Sequence, residues 1–591
     1  MKNIKNILGL LATVVIFNTA CDDLFEPAIQ NNRDLESSYN EPRFAQGLII
    51  NAYARIPRNS WSFNDMATDD AVANNENNAF FNMASGQWAS DNNPLNQWTN
   101  AKAAIQYINL MIETAEKVTF TVNNPMLDRM FADRIIGEAL GLRALFMYHL
   151  LQAHGGFADG QLLGVQIFTD SQNLNSQFNL PRITFEECMR QIYVDVERAL
   201  ELLPLDYENI ATEADVPERY RAIGASRNDY NRVFGEDARQ LMSGRIAMAV
   251  RAQAALMAAS PAFSQGNSTT WEDAANYAGQ VLALNGGVSG ISPTGLTWYT
   301  NVAEINNLGG GVNQREILWR TSLGGPSSNL EAQHFPPTQF GSGLLNPTQN
   351  LVDAFPSIDG YPITHPNSSY DPANPYANRD PRFNHFIIRN GSTAGPNNQV
   401  INTTADGGTN DGINRVEVST RTGYYMRKLL RQDVNLNPVS VNGQLHVMPR
   451  IRYTELYLIY AEAANEAWGP MATGSFGFSA YDVIKAIRQR AGIGLANGDA
   501  YLESIKNDKD AMRELIRNER RLELCFEGFR FWDLRRWNLN LTEPARGMRI
   551  QNNTYQEINV QNRVFGQHMV YGPVPLSELL KYSALRQNTG W

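Results

Sequence analysis

Residues 518–537 read NERRLELCFEGFRFWDLRRW, a stretch in which acidic and basic side chains alternate with large apolar ones. Just before and inside it, apolar residues recur every three or four positions, which predicts an amphipathic helix: Met512, Leu515, Ile516, Leu522 and Phe526. Glu519 and Glu523 are four residues apart and enter the apolar side of this helix. Carboxylates in such a place, beside Arg520, Arg530 and Arg535, favour buried ion pairs over acid–base catalysis.

Helical periodicity extends outwards from this stretch over most of the chain. The strongest patterns are residues 126–151, a helix from the capping box Thr184/Glu187 to Leu203, alanine-rich residues 238–259, and residues 453–468. Ala and Tyr at the expected helix contacts suggest paired helices of the tetratricopeptide kind. The sequence therefore predicts a mainly all-α fold, with the helical scaffold in residues 41–56, 98–285 and 450–537.

Residues 286–448 differ from the rest because Gly, Pro and Asn interrupt short apolar segments. Glu316–Trp319, Phe386–Ile388 and Arg415–Val418 are predicted to be brief strands joined by long loops. Long loops inside a compact domain are often functional. We expect this irregular, loop-rich segment to lie on the ligand side of a single domain that covers residues 21–591.

The N-terminus has the pattern of an export signal. Lys2 and Lys5 precede an uncharged run from Ile7 to Phe17, and small residues lead to Cys21. The run has about half of the roughly 20 residues that a membrane-spanning helix needs. A cysteine at the cleavage point resembles a bacterial lipobox, so residues 1–20 are predicted to be a lipoprotein signal peptide and Cys21 to be lipidated, with palmitate among its acyl chains. An ordinary secreted protein that begins at Cys21 is the alternative.

Composition excludes several classes of protein. The net charge of −10 argues against nucleic-acid binding, which needs a basic face. The cysteines other than Cys21 are Cys188 and Cys525, both on apolar helix stripes, which favours buried thiols over a disulfide. The sequence has neither a metal-binding His/Cys motif nor a calcium loop of the D-x-D-x-D-G kind. No cofactor is expected.

Five segments, in the same order along the chain, resemble one protein family. They are Cys21 followed by two aspartates, Gly141–Tyr148 with Gly155-Gly156, Arg379–Arg382, residues 518–537, and the ending from Pro573 to Trp591. The second segment is one residue longer than the family's R-A-x-x-Y pattern. Together they are similar to the SusD/RagB outer-membrane lipoproteins of Bacteroidetes.

The resemblance implies a tetratricopeptide-like scaffold of four helix pairs and an irregular half that carries the ligand. It also implies a lipid-anchored position on the cell surface and a SusC-like TonB-dependent transporter as partner. The ligand would be a nutrient oligosaccharide or, alternatively, a peptide. Asp22 and Asp23, directly after the lipidated cysteine, are similar to the family's surface-export signal.

Aromatic side chains on loops are the expected ligand-binding groups, because a flat ring can take the apolar face of a sugar while polar side chains take its hydroxyls. The loop candidates are Trp61, Phe63, Trp88, Trp298, Tyr299, His334 and Phe335, with Asn64, Asp69 and Asp91 as polar partners. Trp88 with Asp91 resembles a stacking position of related glycan binders. Trp98 is assigned to the core, and Trp319 is left open between core and ligand.

Two other functions are kept as alternatives. A surface glycoside hydrolase needs two carboxylates across a cleft, and the sequence offers no convincing pair. The protein could also be a structural lid that binds no ligand. Asp69-Asp70 fits either a ligand-binding acid or a helix-flanking pair equally well.

Overall fold

The computed structural model describes residue 39 and residues 41–57 and 61–591. Cys21, Asp22, Asp23 and the predicted signal peptide lie outside the described residues. In the described part of the chain, no helix is both long enough and apolar enough to cross a bilayer.

Helices form most of the regular structure. In chain order they are α1 Pro42–Ala54, α2 Ala79–Asn82, α3 Trp98–Thr114, α4 Pro125–His154, α5 Phe185–Leu202, α6 Glu218–Arg221, α7 Arg227–Phe234, α8 Gly244–Ala259, α9 Trp271–Leu284, α10 Val302–Ile305, α11 Asn329–His334, α12 Gln349–Ala354, α13 Pro381–Phe386, α14 Tyr453–Trp468, α15 Ala480–Ala491, α16 Ala500–Ile505, α17 Lys509–Glu523, α18 Arg530–Arg536 and α19 Leu576–Lys581.

The strands are short and pair two by two. They are β1 Ala71–Ala73, β2 Gly156–Ala158, β3 Gln161–Leu163, β4 Ile317–Arg320, β5 Leu345–Pro347, β6 Ile387–Ile388, β7 Thr393–Ala394, β8 Gln399–Val400, β9 Tyr425–Met426, β10 Pro449–Arg452, β11 Ala545–Gln551 and β12 Thr554–Gln561. The antiparallel pairs are β1–β5, β2–β3, β4–β10, β6–β9, β7–β8 and β11–β12.

Local sequence signals fix the ends of the scaffold helices. The capping box that opens α5 is present, because Thr184 accepts from the Glu187 N–H (3.2 Å) and Glu187 accepts from the Thr184 N–H (3.0 Å). The alanine-rich helix α8 begins after Ser243, whose hydroxyl caps it, and ends before Ser260. Small side chains on α8 let helix axes approach closely.

The scaffold helices pack against their neighbours around one large core. Helix α4 contacts α3, α5 and α8, while α9 contacts α8 and α14, and α14 contacts α15 and α17. The predicted fold class, mainly α-helical and tetratricopeptide-like with a few short strands, is confirmed. Trp98 is buried in this core as predicted, and Trp319 is buried as well.

A second core lies under the irregular half, where the strand predictions are partly right. Strands β4 and β6 occur at two of the predicted places, whereas Arg415–Val418 forms turns, so that prediction is wrong. Its only apolar residues, Val416 and Val418, are 38% and 37% exposed, so no fully buried face holds them in a strand. The hairpin β11–β12 was not predicted, although Asn552-Asn553 at its turn, both with positive φ, suits a two-residue hairpin.

The charged stretch 518–537 joins distant parts of the chain through buried ion pairs. Glu519 accepts from Arg382 (2.7 Å) and Arg488 (2.8 Å), and Glu523 accepts from Arg382 (2.9 Å) and Arg490 (2.7 Å). The prediction of ion pairing is confirmed. The partners of both glutamates are, however, arginines from outside the stretch, because an i, i+4 pair on one helix face points at neighbouring elements.

Both cysteines in the described part, Cys188 and Cys525, are buried and free, as predicted.

Glu523 makes the stability of the fold sensitive to acid. Burial alone would raise the pKa of Glu523, but Arg490 and Arg382 outweigh it and lower this pKa to about 2, below its usual 4.5. The contribution of Glu523 is therefore fully present above pH 4.5 and is lost as the pH falls through 2. In chemical denaturation, the stability difference between the unmodified protein and Glu523→Gln should shrink over this window. A constant difference from pH 5 to pH 2 would contradict the assignment.

Candidate ligand-binding site

The prediction that Trp298 and Tyr299 present their rings to solvent is wrong. Trp298 is 1% exposed, and Tyr299 is buried with its hydroxyl donating to the carbonyl oxygen of His385 (3.1 Å). Gly and Pro around this pair correctly indicated a loop, but loop residues still have an inward and an outward side. Both rings belong to the second core.

His334 and Phe335 are also inside the protein rather than exposed on a loop. His334 is the last residue of α11, is 0% exposed, and packs against the ring of Phe63 at 4.5 Å between centroids. Burial lowers the pKa of His334 to about 3, so its imidazole is neutral at physiological pH. Phe335 packs in the same core. The sequence pattern did not indicate that the C-terminal end of α11, where His334 lies, is buried.

Trp88 is buried too, in a small aromatic cluster near the C-terminus. Its ring lies edge-on to Trp591 (4.7 Å) and to Phe531 (5.9 Å). Its indole N–H donates to Oδ1 of Asn93 (3.0 Å). This hydrogen bond joins Trp88 to a residue five positions later and so closes the intervening loop. Asp91, the predicted partner for sugar hydroxyls, is exposed, but the ring of Trp88 is not open for a sugar to stack on beside it.

Asn64 and Asp69 lie beside the charged stretch. Asn64 is buried in a 3₁₀ turn, Asn64–Ala67. Asp69 accepts from Arg521 (2.9 Å) and Arg530 (2.8 Å). Burial alone would raise the pKa of Asp69, but these two guanidinium groups outweigh it and hold that pKa below its usual value. Asp69 is thus engaged in structure, which corrects its assignment as a free acceptor for sugar hydroxyls.

Trp61 is the aromatic candidate that remains partly open. Its ring is half-buried and lies over Trp298, at 6.3 Å between centroids with a 40° angle between planes. The ring centroid of Phe63 lies 6.5 Å from that of Trp61. Phe63 has a positive φ of 54°, a conformation that is costly for a bulky residue. The half-buried ring of Trp61 therefore packs at an angle against the buried indole of Trp298.

Trp61 lines a cavity of about 550 Å³, named here the Trp61 cavity. Its apolar wall consists of Trp61, Phe63, Met66, Phe80, Leu330, Leu344 and Met448. Its polar wall consists of Ser62, Asn78, Thr321, Ser322, Ser327, Asn329, Gln333 and His446, together with the backbone of Gly324 and Gly325. Aromatic and aliphatic surface beside hydrogen-bonding groups, at this volume, suits a small-molecule site.

Three segments, together with Leu344, form the walls of the Trp61 cavity, and backbone pairing or a helix cap holds each segment. Residues 61–80 are fixed by the pairing of β1 with β5, and the α2 N-cap is closed by Asn78, which accepts from the N–H of Phe80 (2.9 Å). The loop before α11 is tied to residues 444–448 by reciprocal backbone bonds between Ser327 and Gln444 (2.8 and 3.0 Å). His446 is oriented by Glu331 on α11 (2.9 Å).

The Trp61 cavity can bind a ring and its polar rim at once. Trp61 and Phe80 supply apolar surface, while the exposed amides of Asn329 and Gln333 and the hydroxyl of Ser322 supply hydrogen bonds. In the described residues, no aspartate or glutamate lines this cavity, and no cluster of His, Cys, Asp and Glu suits a metal ion. Apolar rings beside amide and hydroxyl groups suit a molecule that has both an apolar face and hydrogen-bonding groups.

The second and third segments of this cavity were not assigned from the sequence. The run Ser322–Ser327, with two glycines, indicated only a loop, and His446 and Met448 fell at the end of the predicted loop-rich segment 286–448 without being singled out. A loop that is closed by pairing across more than a hundred residues leaves no local signal.

Comparisons with known proteins agree with this architecture. A family model described as "SusD family" matches residues 312–591, and one described as "Starch-binding associating with outer membrane" matches residues 30–217. The two models together match well over half of the chain.

The chain belongs to the SusD/RagB family.

A curated relative of this SusD/RagB protein is SusD-like protein P38 of Formosa agariphila, which is 36% identical over 118 residues. That match spans 20% of this chain and only 22% of the relative.

Solved structures show the same fold at low sequence identity. A SusD-like protein from Bacteroides fragilis NCTC 9343 has a TM-score of 0.71 and 22% identity, with 96% of this chain and 100% of that chain covered. A SusD-like carbohydrate binding protein from the same organism has a TM-score of 0.66 and 20% identity, over 93% and 100% of the two chains.

Proposed function

We propose that this SusD/RagB protein binds a nutrient oligosaccharide in the Trp61 cavity. The observation that carries the proposal is the half-buried indole of Trp61, packed against Trp298, in a cavity that is also lined by hydroxyl and amide side chains. Sugar rings have an apolar face and a hydroxyl rim, so they match both surfaces. The family and a carbohydrate-binding structural neighbour support the same ligand class.

The protein acts by binding alone. Glycoside hydrolysis needs two carboxylates on either side of the bond. The acidic residues of the charged stretch are engaged with arginines and a lysine, as Glu519, Glu523, Glu527 and Asp533 all are. This arrangement leaves the stretch a structural role and supports a receptor rather than a hydrolase.

A glycan array followed by titration calorimetry tests the proposal. We expect one class of neutral oligosaccharide to bind, with no new reducing ends after prolonged incubation. Binding of peptides but not of any glycan would show that the ligand class is peptide, the alternative. Binding of neither class would leave only the structural lid and would overturn the proposal, as would release of reducing ends.

The receptor is expected to work at the outer membrane, anchored through Cys21, and to deliver its ligand to a SusC-like TonB-dependent transporter. A short apolar run before a cysteine favours lipidation, and several acyl chains give an effectively permanent anchor. Copurification of such a transporter with the tagged protein from outer membranes would support this partner, and its repeated absence would contradict it.

Cys21→Ser is expected to release the protein from membranes. Without the thiol there is no acylation site, so the variant should move to the soluble fraction and lose labelling by a palmitate analogue. Cys188→Ser is the matched control, because that thiol is buried in the core and its change should leave fractionation and labelling unaltered. Retention of Cys21→Ser on membranes would refute the anchor.

A further inference from the structure

A second large cavity, of about 390 Å³, has no lining residue in common with the Trp61 cavity. It lies between α3, α4, α19 and the loop of residues 166–178, and is named here the Lys102 cavity. Its apolar wall includes Ile105, Met147, Ile167, Phe168 and Phe178. Its volume and apolar lining suit a small-molecule site, in which polar groups select the ligand.

Hydrogen bonds hold the loop against α3 and so preform the Lys102 cavity. The side chain of Gln106 donates to the carbonyl oxygen of Gln172 (2.9 Å) and accepts from its N–H (2.8 Å). The side-chain amide of Asn109 donates to the carbonyl oxygens of Phe168 (2.8 Å) and Asp170 (3.0 Å). A ligand therefore meets walls that are already ordered, which lowers the entropic cost of binding.

Lys102 places an ammonium group in this cavity. Its Nζ lies 4.3 Å from the ring centroid of Trp98 and 5.4 Å from that of Phe168, and it donates to Oε1 of Gln166. In the described part of the chain no carboxylate lies within 4.0 Å of this Nζ. Burial lowers the pKa of Lys102 to about 8, since the ammonium has lost water without gaining a carboxylate in contact. An ammonium has three N–H donors, so Nζ keeps donors for a ligand.

Glu578 places a negative charge at the same cavity. It is 9% exposed, and its charge raises the pKa of Lys102 against the larger effect of burial, so the two groups lie near each other without forming an ion pair. Oε1 of Glu578 accepts from Lys581 (2.7 Å), whose side chain is 59% exposed, and surface pairs of this kind contribute little. That hydrogen bond uses one carboxylate oxygen and leaves Oε2 for a ligand. The Lys102 cavity thus combines a cation, an anion and an apolar wall.

We propose that the Lys102 cavity binds an α-amino acid with a large apolar side chain. The carboxylate of the ligand pairs with Lys102, its ammonium pairs with Oε2 of Glu578, and its side chain packs against Met147 and Phe168. A simple anion is repelled by Glu578 and a simple amine by Lys102, whereas a zwitterion is attracted by both groups. An uncharged ligand such as a sugar leaves Lys102 without a counter-charge in contact. This site does not depend on the proposed glycan site.

Titration calorimetry of the unmodified protein with phenylalanine, at up to about 10 mM, tests the site and its ligand class. We expect saturable binding of phenylalanine. Phenethylamine, which lacks the carboxylate, and hydrocinnamate, which lacks the ammonium, should each bind at least about 10-fold more weakly. Glycine should also bind at least about 10-fold more weakly, because it cannot use the apolar wall. Absence of saturable binding by phenylalanine, leucine and methionine would overturn the proposal, as would equal binding of phenylalanine and either analogue.

Substitutions show whether phenylalanine binds in this cavity. Lys102→Met and Glu578→Gln should each weaken its binding by at least about 10-fold, since each removes one charge and nearly keeps the size of the side chain. Lys117→Met should leave the affinity unchanged, because Lys117 is exposed just after α3 and does not line the cavity. Unaltered affinity in Glu578→Gln would refute the site, and this variant decides if Lys102→Met does not fold. Trp61→Ala should keep phenylalanine binding, so failure of the glycan site and failure of this site are distinguishable.

Discussion

Arg382→Ala should lower the free energy of unfolding by about 3–5 kcal/mol, the largest effect of a single substitution that we expect. Arg382 is 0% exposed and donates to Asp380 (2.7 Å), Glu519 (2.7 Å) and Glu523 (2.9 Å). Alanine would leave three buried carboxylates short of a counter-charge. Urea unfolding followed by tryptophan fluorescence measures the change.

Two matched variants show whether burial causes this effect. Arg198→Ala removes an arginine whose ion pair with Glu201 is 60% exposed on both sides, and it should change stability by no more than about 0.5 kcal/mol. Arg382→Lys keeps the charge but not the planar set of donors, so it should recover only part of the loss. Equal stabilities for Arg382→Ala and Arg198→Ala would show that the buried ion pairs of Arg382 do not stabilise the fold.

Trp61→Ala should weaken glycan binding by about 10- to 100-fold, equivalent to roughly 1.4–2.8 kcal/mol, because it removes the central aromatic contact of the cavity. Stability should change little, since the ring is only half-buried while the indole of Trp298 beneath it stays in the core. Titration calorimetry with the best ligand from the array measures the affinity, and circular dichroism checks the fold.

Trp271→Ala is the control for this variant. Trp271 is also half-buried, but it is the first residue of α9 and does not line the Trp61 cavity. Its replacement should leave the affinity unchanged. Unaltered affinity in Trp61→Ala would move the binding site elsewhere on the protein.

The helices and the ion pairing were predictable from sequence because their signals are local. The stripe of α17 and the capping box of α5 each lie within a few turns of one helix. The capping box is confirmed, and so is the stripe from Met512 to Leu522, whereas Phe526 lies beyond the end of α17 and has a positive φ of 63°. The partners of Glu519 were not predictable, because Arg382 and Arg488 come from other elements and meet only in the folded protein.

The binding residues were harder to predict for a physical reason. Gly and Pro around Trp298 show that the backbone turns, but the direction of the side chain depends on what packs against it. Trp298 and His334 were expected at the surface and instead support the residues that line the cavity, Trp61 and Phe63. These two predicted residues therefore lie close to the cavity, but they are buried behind the residues that line it.

A crystal structure of the protein with the best oligosaccharide from the array is the most direct test of the central claim. The account predicts a sugar ring stacked on the indole of Trp61, with its hydroxyls bonded to polar groups from residues 321–333. A ligand bound outside the Trp61 cavity, with that indole untouched, would contradict it.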